Sequence, residues 1–482
     1  MTFSFKNPAC SNHQQGLKGF YGTFDSIVWL RDGIEGLQDE PGARVLNHEL
    51  VHYFQNYYTA TGVSYFAIIL VMYRCLQDML RDCPSVIDVP LLEWLPHSGH
   101  LNADGHSMKA FDRAIRLQAQ IRTSCVSSDV LKRIDTDVPS CELARSIALG
   151  RFSLNIDDVH FSIGEDFRLP IDYQAICESM ALAQELFFAA AMHVRGKTGL
   201  LLRRPLSPNE AAEMPNLVNS YLTQDILLNP KNLQYTFPFL YLLRSGYNGW
   251  ESAFMVAIIS FVALSATYIL PGVPEFGVEG ITKFGGVTAR KYVKLLQAAF
   301  DDKFLDILND PGDPDQKLSS YLDRYTDAVE LPKASDSLDQ FSRMGSAVKG
   351  SDGVADWLSR HMERTFVNAA SFAEWTQSVR MQEGLSQILN TPEYLREQGA
   401  YPAAFGRRSF INLGETPQEE FDDMVLISLG MNALKCALLG TDDLFPQFQT
   451  LEHHRSVLTT LFKESFGVSV KGWQMSEPPT NE

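Results

Sequence analysis

The residues with the clearest chemistry are Asn47-His48-Glu49-Leu50-Val51-His52-Tyr53-Phe54-Gln55, which carry two imidazoles and a carboxylate in the pattern H-E-x-x-H. On a helix, positions i and i+4 project from one face, one turn apart. His48 and His52 can therefore converge on a single Zn2+ at about 2.0–2.1 Å each. Glu49 follows His48 directly, so its carboxylate can reach a metal-bound water without occupying the metal. There it would act as general base on a water whose pKa the cation lowers towards about 7. In a chain of 482 residues with 11 histidines, chance supplies roughly 0.01–0.02 such patterns. That expectation is low enough to set the motif above the bland alternative, an amphipathic helix that happens to carry two histidines.

Chemistry of this kind needs a helix under it, and the flanking residues predict one from Pro41 to about Thr61. Pro41 suits a first turn, Asp39 and Glu40 favour the positive end of the helix dipole, and Gly62 supplies a stop. His48, His52 and Gln55 share one face. Leu46, Leu50, Tyr53, Phe54 and Tyr57 give an apolar flank to bury. Before the helix, the aromatic and β-branched run from Gly19 to Leu30 predicts a strand or short hairpin ending at Arg31-Asp32-Gly33. After it, helices are expected over Val63 to Arg81, Met108 to Thr123 and Tyr173 to Val194, with a loop over Leu91 to His106. Arg151 to Arg168 alternates apolar and polar residues, as a strand does.

The motif Val45-Leu46-Asn47-His48-Glu49-Leu50-Val51-His52-Tyr53-Phe54, with its uncharged surroundings, resembles that of the zincin metallopeptidases. The resemblance covers this helix and its neighbours. It implies a two-lobed fold, with a small sheet and the active-site helix on one side of a cleft and a helical lobe on the other. It also implies His48 and His52 as zinc ligands and Glu49 as catalytic base. A metzincin would place Gly at Gln55 and His at Tyr58, so the gluzincin-like branch fits better. There the third ligand is a Glu on a downstream helix. Glu178, in Tyr173-Gln174-Ala175-Ile176-Cys177-Glu178-Ser179-Met180-Ala181-Leu182-Ala183, is the choice, because the small residues around it permit close approach to the motif helix; Glu93 is the alternative. The Asp that gluzincins carry four residues after that Glu is Leu182 here. Support for the histidines must then come from another group, such as Glu185 or Gln55.

Peptide hydrolysis also needs a donor for the developing oxyanion. His193 lies 15 residues beyond Glu178, within about 60° of it on one helix, and is the first candidate. Tyr247 and His160 are weaker ones. The loop His97 to His106 carries three histidines and Asp104, a composition common in solvated loops. The run Gly272 to Gly280 lacks the Lys-Ser/Thr of a phosphate-binding loop and reads as a turn-rich connection.

Composition limits the remaining classes. With 45% hydrophobic and 21% charged residues the chain is globular, and its net charge of −17 disfavours a nucleic-acid partner. Seven scattered cysteines without a C-x-x-C pair argue against a disulfide framework and for a reducing compartment. The N-terminus lacks the pattern of a secretory signal, so a cytoplasmic location is expected. Ser252 to Leu270 is a 19-residue run without a charge, but its serines and missing basic flanks favour a buried core helix, with no stable membrane insertion.

The expectation is an α+β, predominantly α-helical protein, zincin-like and two-lobed, with a small N-terminal sheet and a helical C-terminal part. Three regions are expected: a metal-binding catalytic region over 1–200, a helical core over 201–310 and a helical C-terminal region over 311–482. Candidate linkers lie at 309–315 and 342–353. The expected activity is zinc-dependent hydrolysis of a peptide or protein substrate, with Glu49 and His193 catalytic and His48, His52 and Glu178 holding Zn2+. The competing class is a non-catalytic helical scaffold with a structural or vestigial metal site. A membrane-active effector that inserts Ser252 to Leu270 is a third.

Overall fold

The computed structural model describes residues 19–22, 27–30, 40–59, 61–62, 80, 85–91, 93–94, 140–165, 167–195, 207–265 and 278–301. From the last third it describes 403–405, 410–412 and short stretches between 418 and 472. The expected helices over Val63 to Arg81 and Met108 to Thr123 fall almost wholly outside these residues. So do the loop His97 to His106 and both candidate linkers.

The described chain is predominantly helical with a smaller β component. The motif helix, α1 (Glu40–Tyr58), forms where predicted. It stops because the Thr59 hydroxyl donates to the Gln55 carbonyl at 2.6 Å and accepts from Gly62 N–H at 3.1 Å. Gly62 is required there, since a Cβ would overlap the Gln55 carbonyl oxygen. Against α1 lies the helix that most other described helices contact, α3 (Tyr173–Val194); the intervening α2 spans Ser140–Ala148. Asp172 caps α3 by accepting from Ala175 N–H at 2.8 Å, a contact worth about 1 kcal/mol. Ala175, Ala181, Ala183, Ala189 and Ala190 are fully buried along α3. Their small side chains let neighbouring helices approach from several sides.

Those neighbours are α4 (Pro208–Tyr221), α6 (Leu233–Arg244), α7 (Gly249–Ser265) and α8 (Val278–Asp301), with the single turn α5 (Gln224–Leu227) between α4 and α6. Ser207 and Glu210 close a reciprocal capping box on α4. The apolar run expected as a core helix is α7, with Ala253, Met255, Val256, Ala257 and Ile258 all buried. Phe54 of α1 packs on Phe261 of α7 with ring centroids 6.1 Å apart. Among the described residues one helix, α3, is long and apolar enough to cross a membrane, and 89% of that window is buried in the protein.

Among the described residues, three small sheets flank the helices. β4 (Phe152–Asn155), β5 (His160–Ile163) and β6 (Phe167–Pro170) form an antiparallel meander within the alternating segment, pairing Leu154 with Phe161 and Phe161 with Leu169. Fully buried Phe161 sits between Phe152 and Phe237 of α6, at 5.3 and 5.6 Å between centroids. β1 (Gly19–Gly22) and β2 (Ile27–Leu30) make the expected hairpin beside α1. Their sheet is completed by β7 (Ala403–Phe405), parallel to β2, and β8 (Phe410–Asn412). Likewise β3 (Val86–Asp88) pairs in parallel with β9 (Ser469–Lys471).

To the mostly helical expectation for the C-terminal part the structure adds short strands that complete sheets begun near the N-terminus. Two smaller corrections are local. Glu93 and Trp94, expected in a loop, close a turn by donating to the Pro90 carbonyl at 3.1 and 3.0 Å. Val278 to Gly280, expected in a turn-rich connection, open α8.

Candidate metal centre

Arg44, His48, His52 and Gln55 follow one another along one stripe of α1, at intervals of four, four and three residues. The stripe faces Glu178 and Glu185 of α3. His48 Nε2 lies 3.2 Å and His52 Nε2 3.4 Å from the same Oε2 atom of Glu178, across a sequence separation of 130 and 126 residues. The two imidazoles stand edge to face, with centroids 4.9 Å apart and planes at 80°. All three side chains are half-buried. This trio is the one group of three or more potential ligands among the described residues.

The remaining ring nitrogens are also held, and their partners fix the tautomers. Gln55 is buried and its Nε2 donates to the Cys177 carbonyl at 2.9 Å, which turns its Oε1 towards His52. That oxygen lies 2.9 Å from His52 Nδ1 and can only accept, so Nδ1 is the protonated nitrogen. Glu185 does the same for His48, with Oε2 3.4 Å from Nδ1. In the neutral rings both Nε2 atoms then carry lone pairs aimed at a carboxylate oxygen. Three electron-rich atoms facing one point repel one another unless a cation lies among them.

In the metal-free protein, protons take that role. Burial opposes charge on His48, but its hydrogen bonds to Glu178 and Glu185 outweigh this and hold its pKa well above the usual imidazole value. For His52, burial is likewise overcome, chiefly by the charge of Glu178. Burial should raise the pKa of Glu178, yet the two imidazoles hold it far below the ordinary carboxylate range. Glu185 is also lowered against its burial, by His48 first and Arg44 second.

A metal fits the same position. Three donor atoms bound tetrahedrally at about 2.0–2.1 Å to one ion lie about 3.3 Å apart, and the Nε2-to-Oε2 separations are 3.2 and 3.4 Å. Two imidazoles and one carboxylate form a donor set suited to a divalent ion, and both rings have the outer hydrogen bonds that metal-ligating histidines carry. His48, His52 and Glu178 can hold a metal ion. Glu49, buried at 7% exposure, stands within electrostatic reach of both imidazoles.

No family model, curated protein or solved structure matches this chain. The assignment of the centre rests on its own geometry.

Of the two carboxylates considered from sequence, Glu178 is brought to the histidines, while Glu93 is exposed in its turn after Pro90. His193 is not brought to them. It lies in the last turn of α3, about 22 Å along the axis from Glu178 at 1.5 Å per residue, exposed, with Nδ1 3.2 Å from the Tyr221 hydroxyl. The axial distance excludes contact with the histidine pair. Tyr247 is a core residue whose hydroxyl donates to the Ala299 carbonyl at 2.7 Å, and His160 is buried in β5.

The residue missed from sequence is Tyr235, in the first turn of α6. Its ring centroid is 6.3 Å from that of His48. Burial, and then the charge of Glu178, push its hydroxyl pKa up, so it stays protonated as a donor. Nothing in Leu233-Gln234-Tyr235-Thr236-Phe237-Pro238 marks it out, because its place depends on how α6 crosses α3.

Proposed function

We propose that this chain is a zinc-dependent metallohydrolase of zincin-like two-lobed plan, and that it cleaves peptide bonds. One observation carries the reading: both Nε2 atoms of an H-E-x-x-H pair meet a single Glu178 oxygen, at 3.2 and 3.4 Å. Zinc held by His48, His52 and Glu178 would polarise a substrate carbonyl and lower the pKa of water. Three ligands from the described residues leave a position open, as catalytic sites need and closed structural sites lack.

The chain's own groups have separable tasks. Glu178 holds the negative charge that makes the site selective for a cation. Gln55 and Glu185 keep the Nδ1 protons on the outer side of each ring, so the Nε2 lone pairs stay inward. The Glu49 carboxylate takes the proton of the attacking water and returns it to the leaving nitrogen. The Tyr235 hydroxyl donates to the oxygen that gains charge as the carbonyl carbon becomes tetrahedral. His193, on the surface at the far end of α3, has no part in these steps. A peptide or protein substrate and a cytoplasmic location, without nucleic acid or membrane insertion, belong to the same reading.

Glu49→Gln tests it. With a peptide library as substrate, zinc content should stay at the wild-type level while hydrolysis falls by roughly 10²–10⁴-fold, the usual share of a general base. Wild-type hydrolysis rates in purified Glu49→Gln would refute the mechanism. A wild-type chain that holds zinc and hydrolyses no peptide would instead favour a structural or vestigial site in a scaffold.

A further inference from the structure

Arg44 lies one turn before His48 on the same face of α1, and its guanidinium meets a carboxylate that already serves the metal centre. Nη2 and Nε lie 2.8 and 3.0 Å from Glu185 Oε1. The other oxygen of that carboxylate, Oε2, lies 3.4 Å from His48 Nδ1. A carboxylate engaged through both oxygens on opposite sides cannot turn about its terminal torsion without losing a contact. The guanidinium is held in its turn: it lies over the ring of Tyr221, the last residue of α4, 5.9 Å from the centroid. The Tyr221 hydroxyl reaches His193 at 3.2 Å. A polar row thus runs from the surface end of α3 across α4 and α1 to the outer nitrogen of His48.

Building on the metal-binding reading above, we propose that Arg44 is a positioning residue for this centre, locking Glu185 so that His48 Nδ1–H has one fixed acceptor. Arginine suits the task because its planar fork presents two donors to one carboxylate oxygen and can stack on an aromatic ring, where a lysine offers a point charge. Arg44 needs no contact with substrate or metal. Its effect passes through Glu185.

The test uses the full chain and two readouts. In metal-free protein labelled with nitrogen-15 at histidine, the hydrogen-bonded His48 Nδ1–H should give a low-field proton signal protected from solvent exchange. Glu185→Leu and Arg44→Met should each lose that protection, and Arg44→Gln replaces Arg44→Met should the latter fail to fold. In chelator competition, Arg44→Met should weaken zinc binding about tenfold, the lower end of the range for outer-shell partners. Arg44→Met combined with Glu185→Leu should bind no more weakly than Glu185→Leu alone, since one acts through the other. A protected signal in Arg44→Met like that of wild type, or zinc losses that multiply in the double variant, would overturn the lock while leaving the metal reading in place. A wild type that shows the protected signal, loses it in Arg44→Met and takes up no zinc would uphold the lock and overturn the metal reading.

Discussion

Two imidazoles four residues apart on one helix are held by opposite means. The outer nitrogen of His48 meets Glu185, whose charge is balanced by Arg44, with side chains 20% and 26% exposed. That of His52 meets Gln55, which is 1% exposed and anchored to a backbone carbonyl. The difference follows depth. A buried charge costs several kcal/mol even when paired, whereas a buried amide needs only that its donors and acceptors find partners. Where water still reaches the clamp, a charged one is tolerable; where the clamp itself is buried, a neutral one takes its place. Both leave the inner nitrogens pointing at Glu178.

The most severe way to break the comparison is to remove what the two arms share. Glu178→Ala should abolish stoichiometric zinc uptake, read by metal analysis after dialysis, because both Nε2 atoms lose their common partner. Next comes the deep arm. Gln55→Leu leaves the His52 Nδ1–H without its acceptor, so it should cost about 1–3 kcal/mol in chemical denaturation and weaken zinc binding by roughly 10–100-fold.

The shallow arm should separate these two effects. Glu185→Gln should weaken zinc over a similar range of about 10–100-fold. Its stability cost should stay below about 1 kcal/mol, as expected for a partly exposed ion pair. A Glu185→Gln that is as destabilised as Gln55→Leu would remove the distinction between the arms.

The smallest expected effect is in pH dependence. Raised imidazole pKa values stabilise the metal-free fold fully below the unfolded value of 6.5, and that contribution is lost as pH rises through the folded values. The depressed Glu178 contributes above its unfolded value of 4.5 and is lost on strong acidification. Zinc held at this site would have to displace the imidazole protons, so its binding should strengthen as pH rises. The Tm increment from zinc should therefore widen between about pH 6 and pH 8, measured by calorimetry with and without a chelator.

What the sequence made legible was what is encoded locally. H-E-x-x-H, the α1 and α3 helices and the β4 to β6 alternation all follow from periods of 3.6 or 2 within short windows, and the structure has them at those residues. Glu178, Gln55 and Glu185 could be named because their small-residue helix and their spacing narrowed the choices. Contacts that join distant segments left no local trace. Arg44 and Glu185 are 141 residues apart, and Tyr235 reaches His48 only through the crossing of α6 over α3. The β2 to β7 pairing joins Ile27 to Ala403, and neither short strand specifies its partner. His193 failed for another reason: azimuth on a helix wheel carries no axial distance, and 15 residues of rise separate it from Glu178.

The most direct measurement is the metal content of the untagged, purified chain by inductively coupled plasma mass spectrometry. About one zinc per chain is expected, falling to none in His48→Ala. Less than a tenth of an equivalent in the wild type, after reconstitution with zinc at about pH 7.5, would contradict the assignment of His48, His52 and Glu178 as a metal centre.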